Sequence, residues 1–185
     1  SVKFGVINAT PAIVRVLVVC PATLRLNWAR EVYRWSVRRP TIDVIESRRL
    51  PMTAHMGGDE LLVVVLNYDK LIGAAGKNIR AALHAQRWDM LIVDEAHYLK
   101  SGKRSQRGAA VLGVPARRGF DAVPGLVDAA ERVLLLTGTP LLNRPIEMQP
   151  LLAACDPAFG GFGFLRRYCG ASQGRFGWDF SGATP

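Results

Sequence analysis

Cysteine is scarce and unpatterned in this chain. Cys20, Cys155 and Cys169 are an odd three in 185 residues. They form neither a C-x-x-C pair nor a zinc spacing, so they read as reduced thiols of a cytosolic or nuclear compartment, the choice depending on the source. Long apolar runs are missing too. The longest, Val16–Cys20 and Leu61–Leu66, fall far short of the roughly 20 residues a membrane helix needs, and no signal-peptide pattern is visible. Acidic residues are in deficit, 15 against 24 Lys and Arg, a net charge of +9. That balance suggests a polyanionic partner, while the short apolar runs argue for no membrane. Internal repeats and low-complexity stretches are absent. A G-x-x-x-x-G-K-[ST] phosphate loop is missing as well: at Gly76-Lys77 the position five before Gly76 is Leu71, and Asn78 stands where a hydroxyl is required.

What is present is a set of short apolar runs separated by helical patterns. A 49% hydrophobic content suits a globular domain. Strands are expected at Arg15–Cys20, Thr41–Ile45, Leu61–Leu66, Asp89–Val93 and Arg132–Leu136. Their Val, Ile and Leu content matches strands covered on both faces. Helices are expected at Thr23–Trp35, Lys77–Gln86, Ser105–Leu112 and Ile146–Ala153, with Ser1–Asn8 as the rest of a helix. Alternation of the two indicates an α/β fold with a doubly wound, mostly parallel sheet. In Thr23–Trp35 the residues Leu24, Trp28, Val32 and Trp35 share one face, read as core, while Arg30 and Arg34 face away. Residues Gly113 to Pro124 read as an exposed loop.

Residues 90–97 read Met-Leu-Ile-Val-Asp-Glu-Ala-His: an apolar strand ending in two carboxylates. Acids at the carboxyl end of such a strand sit where open α/β sheets bind ligands. Asp94 would hold Mg²⁺ directly or through water, and Glu95 would orient or deprotonate an attacking water. Adjacent acids also suit the first turn of a helix. Val133–Pro140 repeats the pattern as a second apolar strand ending in Thr-Gly-Thr-Pro, and the two together favour a nucleotide-hydrolysing site.

Four segments in order then carry a family resemblance. Val18-Val-Cys-Pro-Ala-Thr-Leu-Arg-Leu-Asn-Trp-Ala-Arg-Glu31 resembles segment Ia of the Swi/Snf-type ATPases, the helicase-like DNA translocases of superfamily two. Leu66-Asn-Tyr-Asp-Lys-Leu71 is similar to their next DNA-side motif. Val93-Asp-Glu-Ala-His-Tyr-Leu-Lys100 resembles their Walker B motif, and Leu136-Thr-Gly-Thr-Pro-Leu-Leu-Asn-Arg-Pro145 their motif III. Arg167-Tyr-Cys-Gly and Trp178-Asp-Phe-Ser-Gly-Ala resemble the branch containing the annealing helicases and their bacterial relatives.

The resemblance implies a first RecA-like lobe of a two-lobe motor that uses ATP and Mg²⁺ and moves along duplex or branched DNA without reading sequence. Asp94 and Glu95 would be catalytic, with Asp94 on the Mg²⁺. His97, Thr137, Gly138 and Thr139 would couple the nucleotide site to DNA. Pro21, Thr23, Asn27, Asn67, Tyr68 and Lys100 would lie towards the DNA backbone, where hydroxyls and amides bind phosphate. Other readings stay open: Thr23 as a helix N-cap, Tyr68 as a core ring, and Lys100, Lys103, Arg104 and Arg107 as a solvated helix start. Ser101 stands where relatives commonly have Asn. The chain begins without Met, ends on Ser181-Gly-Ala-Thr-Pro185, and is expected to be a fragment whose phosphate loop and second lobe lie outside it. A catalytically dead lobe that only binds DNA or protein, an RNA helicase, and a restriction-enzyme motor subunit are the alternatives.

Overall fold

The computed structural model describes residues 2–47, 49–51, 60–116, 118–139, 144–175, 177–180 and 182. Ser1 of the expected first helix, Arg117 of the exposed loop, residues 140–143 of the motif after Leu136, and Ser181 and Ala183 of the C-terminal motif lie outside the described residues. Five short apolar segments become strands: β1 (Arg15–Cys20), β2 (Pro40–Val44), β3 (Leu61–Asn67), β4 (Trp88–Asp94) and β5 (Ala130–Leu136). They form one parallel sheet in the order β2-β3-β1-β4-β5. The bounds lie within two residues of the expected ones. β1 is the centre: Val18 pairs with Val65 on one side and Ile92 on the other.

Both faces of this sheet are covered. Val16, Val18 and Cys20 of β1 pack with Phe4 and Ile7 of α1 (Val2–Ala9) and with Trp28 and Val32 of α2 (Arg25–Trp35). On the other face Leu17 and Val19 pack with Ile79 and Leu83 of α3 (Gly73–His84). Val111 of α4 (Gln106–Leu112) and Leu151 of α5 (Gln149–Cys155) join them. Full coverage explains why the strands are nearly uniform in hydrophobicity instead of alternating; all seven residues of β3 are buried.

The helices differ from expectation at their ends. The single helix expected from Thr23 splits into a 3₁₀ turn (Ala22–Leu24) and α2. The helix expected from Lys77 starts at Gly73, and the Ile146 segment opens with a 3₁₀ turn (Pro145–Met148) before α5. Trp28 is 1% exposed but Trp35 is 44% exposed, so the apolar stripe of α2 leaves the core at its last turn, where the Arg34 guanidinium lies over the Trp35 ring. Gly76 is a packing glycine within α3: a Cβ there would lie 2.4 Å from the Leu71 carbonyl carbon. A second Gly-Lys pair, Gly102-Lys103, falls in a 3₁₀ turn with Arg104 next in sequence, and it makes no phosphate loop either. The sequence reading had no element for α6 (Phe162–Tyr168) or for the hairpin of β6 (Ser172–Gly174) and β7 (Gly177–Asp179). Among the described residues no helix is long and apolar enough to cross a membrane.

Candidate functional site

Parallel strands deliver their carboxyl ends to one edge of the sheet, and β1 is where the strand order reverses, the usual ligand crevice of such sheets. Four expected site segments arrive there: Pro21–Thr23 after β1, Asn67–Tyr68 closing β3, Asp94–Glu95 closing β4, and Thr137–Thr139 after β5.

Asp94 ends β4 opposite Leu136 of β5. Its Oδ2 accepts from the Trp28 indole N–H at 2.7 Å, and its Oδ1 accepts from the Glu95 backbone N–H at 3.1 Å. Trp28 and Val32 form the buried face of α2, packed in one cluster with Val18 and Cys20 of β1 and Val63 and Val65 of β3. A buried indole N–H needs a partner, and the carboxylate supplies it. Glu95 then turns the chain sharply: with φ 52° and ψ 49° it is the one non-glycine residue at positive φ among the described residues. That conformation is unfavourable by about 1–2 kcal/mol for an ordinary L residue, and such strain gathers at functional sites. The Tyr68 hydroxyl supports the turn from below, donating to the Asp94 carbonyl at 2.6 Å and lying 3.5 Å from the Glu95 carbonyl.

The turn aims Glu95 at His97, whose Nδ1 lies 3.1 Å from Glu95 Oε2. The same nitrogen is 3.2 Å from Thr137 Oγ1 and 3.3 Å from Thr139 Oγ1. His97 therefore bridges the acidic end of β4 to the hydroxyls after β5, with the proton on Nδ1 or its partners set by the tautomer. The four residues expected to couple, His97, Thr137, Gly138 and Thr139, are together. Gly138 is exposed and carries no side chain into the contact. Among the described residues no cluster of three or more His, Cys, Asp or Glu is arranged to hold a metal. The donor set fits Mg²⁺ held by one carboxylate, waters and a phosphate-bearing ligand, and does not fit an all-protein cage.

On the other side of the acidic turn a cleft of about 230 Å³ is lined by Pro21, Thr23, Asn67, Tyr68, Tyr98 and Arg107, among others. Thr23 is exposed within the 3₁₀ turn, and neither that turn nor α2 is capped by its side chain. Asn67 is 6% exposed, yet its Oδ1 has no hydrogen-bond partner among the described residues. Buried amides are normally satisfied, and this oxygen is an exception.

The other three expected backbone-facing residues have different surroundings. Tyr68 is 3% exposed with its hydroxyl turned inward, and burial, then the neighbouring Asp94 charge, raise its pKa well above the ordinary tyrosine value. The Lys100 ammonium is 3.3 Å from Glu147 Oε2 and does not line the cleft. Asn27 is exposed on α2, beside the cleft and outside its lining. Sequence reasoning missed Trp28 and Tyr68 as supports of the acidic turn. Only the need of a buried indole or phenol for a polar partner could have flagged them. It also left Arg107 among a solvated group; the guanidinium pairs with Asp69 at 2.6 Å and lies over the Tyr98 ring.

The SNF2-related domain matches residues 7–118. The chain is 34% identical over 174 residues to a SWI/SNF-related matrix-associated actin-dependent regulator of chromatin subfamily A-like protein 1 of Xenopus tropicalis, covering 91% of this chain and 16% of that protein. It is 33% identical over 180 residues to the DNA annealing helicase and endonuclease ZRANB3 of Homo sapiens, covering 91% and 15%. The chain thus spans about a sixth of the length of these curated relatives. In structure it matches the Sulfolobus solfataricus SWI2/SNF2 ATPase core in complex with dsDNA with a TM-score of 0.58 and 16% identity, over 89% of this chain and 30% of that one. The sheet and its flanking helices therefore have the RecA-like fold of such a lobe.

Proposed function

The chain belongs to the SNF2-related family, and from that premise we propose that it is the first RecA-like lobe of a motor coupling ATP hydrolysis to movement on, or remodelling of, duplex or branched DNA. The observation that carries this reading is the bridge from Glu95 through His97 to Thr137 and Thr139. A carboxylate held in a strained turn and tied to the next strand end is poised to sense and act on a ligand between them. The named relatives, an annealing helicase among them, point the same way.

In this reading Asp94 faces Mg²⁺, which when bound neutralises charge on the terminal phosphates. Glu95 orients the attacking water and takes its proton. His97 holds the Glu95 carboxylate and passes its position to the Thr137–Thr139 segment. The phosphate loop and the second lobe belong to other parts of the intact protein. Thr23 and Asn67, with Pro21 beside them and Asn27 on the adjoining helix, face the DNA backbone. Asn67 lines the cleft, and its amide carries N–H groups that can donate to a phosphate. Arg107 at the cleft and the +9 net charge add a sequence-independent attraction.

Glu95→Gln in the intact protein tests it. The amide keeps the shape but cannot accept the proton, so DNA-stimulated hydrolysis should fall about 10²–10⁴-fold while ATP and DNA still bind. Retention of more than half the rate would sink the assignment. The alternative of a lobe that only binds is disfavoured by the strained Glu95, since a binding module has no use for a carboxylate held that way beside a polyanion.

A further inference from the structure

The acidic turn stands on a side chain that the hydrolytic reading leaves without a task. Tyr68 opens the 3₁₀ turn after β3, is 3% exposed, and places its hydroxyl 2.6 Å from the Asp94 carbonyl and 3.5 Å from the Glu95 carbonyl. It is a donor there because both neighbours are acceptors, and burial keeps it protonated across the working range. Its ring meets Tyr98 edge-on at 5.6 Å, and the Tyr98 ring lies 4.7 Å from the His97 ring. Tyr68 therefore touches both limbs of the Asp94–His97 turn: the backbone on one side and, through Tyr98, the histidine on the other. The same residue lines the cleft with Thr23 and Asn67.

A left-handed Glu95 returns to a commoner conformation unless its surroundings hold it. The Glu95 backbone N–H is engaged by Asp94 Oδ1. The Asp94 carbonyl before it accepts from the Tyr68 hydroxyl, and the Glu95 carbonyl accepts from the Tyr98 backbone N–H at 3.0 Å. We propose that Tyr68 is a positioning residue for hydrolysis: its hydroxyl holds the Asp94 carbonyl, the peptide that leads into Glu95, and so keeps the Glu95 carboxylate on His97. Because its flank is part of the cleft wall, a ligand pressing on the cleft acts on the same strut. The inference rests on the proposed hydrolytic reading of Glu95.

The test is Tyr68→Phe in the intact protein, which removes one oxygen and keeps the ring. The expected result is a kcat for DNA-stimulated ATP hydrolysis lower by about three- to tenfold, the worth of one hydrogen bond. KM for ATP and affinity for a duplex should stay within about twofold, since hydrolysis senses the turn and binding does not. Amide hydrogen exchange over residues 94–99 should speed up in the variant. An unchanged kcat would overturn the proposal. So would a parallel loss of kcat, ATP affinity and melting temperature, which would make the hydroxyl a general stabiliser. Glu95→Gln run beside it separates the two readings. If Glu95→Gln still hydrolyses, the hydrolytic reading is wrong. If it is inactive while Tyr68→Phe matches the parent, the positioning role alone is wrong.

Discussion

Replacing Trp28 with Phe removes one donor from the acidic site and little else of the side chain's character. The indole N–H to Asp94 Oδ2 contact is 2.7 Å, and Trp28 is 1% exposed. A hydrogen bond to a charged group contributes about 1.5–3 kcal/mol, and the smaller ring leaves a space in the packed face that adds roughly 1 kcal/mol. The expected loss is about 2–4 kcal/mol. For a chain of this size each kcal/mol shifts the melting temperature by about 2–4 °C, so the midpoint should fall by about 5–15 °C. Thermal and urea denaturation of the parent, Trp28→Phe, Asp94→Ala and the double variant form a cycle that isolates the contact from the cavity. A coupling of about 1.5–3 kcal/mol is expected. A coupling under about 0.5 kcal/mol, the ordinary error of additivity, would show that the bond does not hold Asp94. The argument that α2 positions the carboxylate would then fail.

Two further outcomes follow from the charges. Burial lowers the pKa of His84, whose Nε2 has no hydrogen-bond partner among the described residues. A depressed folded value means stability that is present above the unfolded value near 6.5 and is lost as pH falls, by at most about 1.4 kcal/mol per unit. Urea midpoints between pH 7 and 5 should therefore fall less steeply for His84→Gln than for the parent; equal slopes would refute the burial argument. In duplex binding by the intact protein, Arg107→Ala should flatten the log–log salt slope by up to about 0.9, the value for one phosphate. Lys100→Ala, outside the cleft lining, should leave the slope unchanged on two unrelated duplexes, and the reverse pattern would move the DNA path away from the cleft.

The positions and parallel direction of the strands were legible in the chain because parallel strands covered on both faces must be apolar throughout, and short apolar runs such as Leu61–Leu66 admit few other roles; their order β2-β3-β1-β4-β5 came only with the structure. The placement of Asp94 and Glu95 at a strand end followed from the same pattern, since charge cannot continue a buried strand. The family resemblance also implied that His97, Thr137 and Thr139 act together. Side-chain direction was not legible. Whether Tyr68 faces outward or under the turn depends on where β4 lies relative to β3, two strands away across β1. The partner of Lys100 is 47 residues along the chain, and that of the Trp28 indole is 66 residues along. The left-handed Glu95 is likewise set by contacts on both sides of the turn, because its own side chain disfavours that conformation. Local sequence determined which segments reach the site; packing between distant segments decided which of their atoms face it.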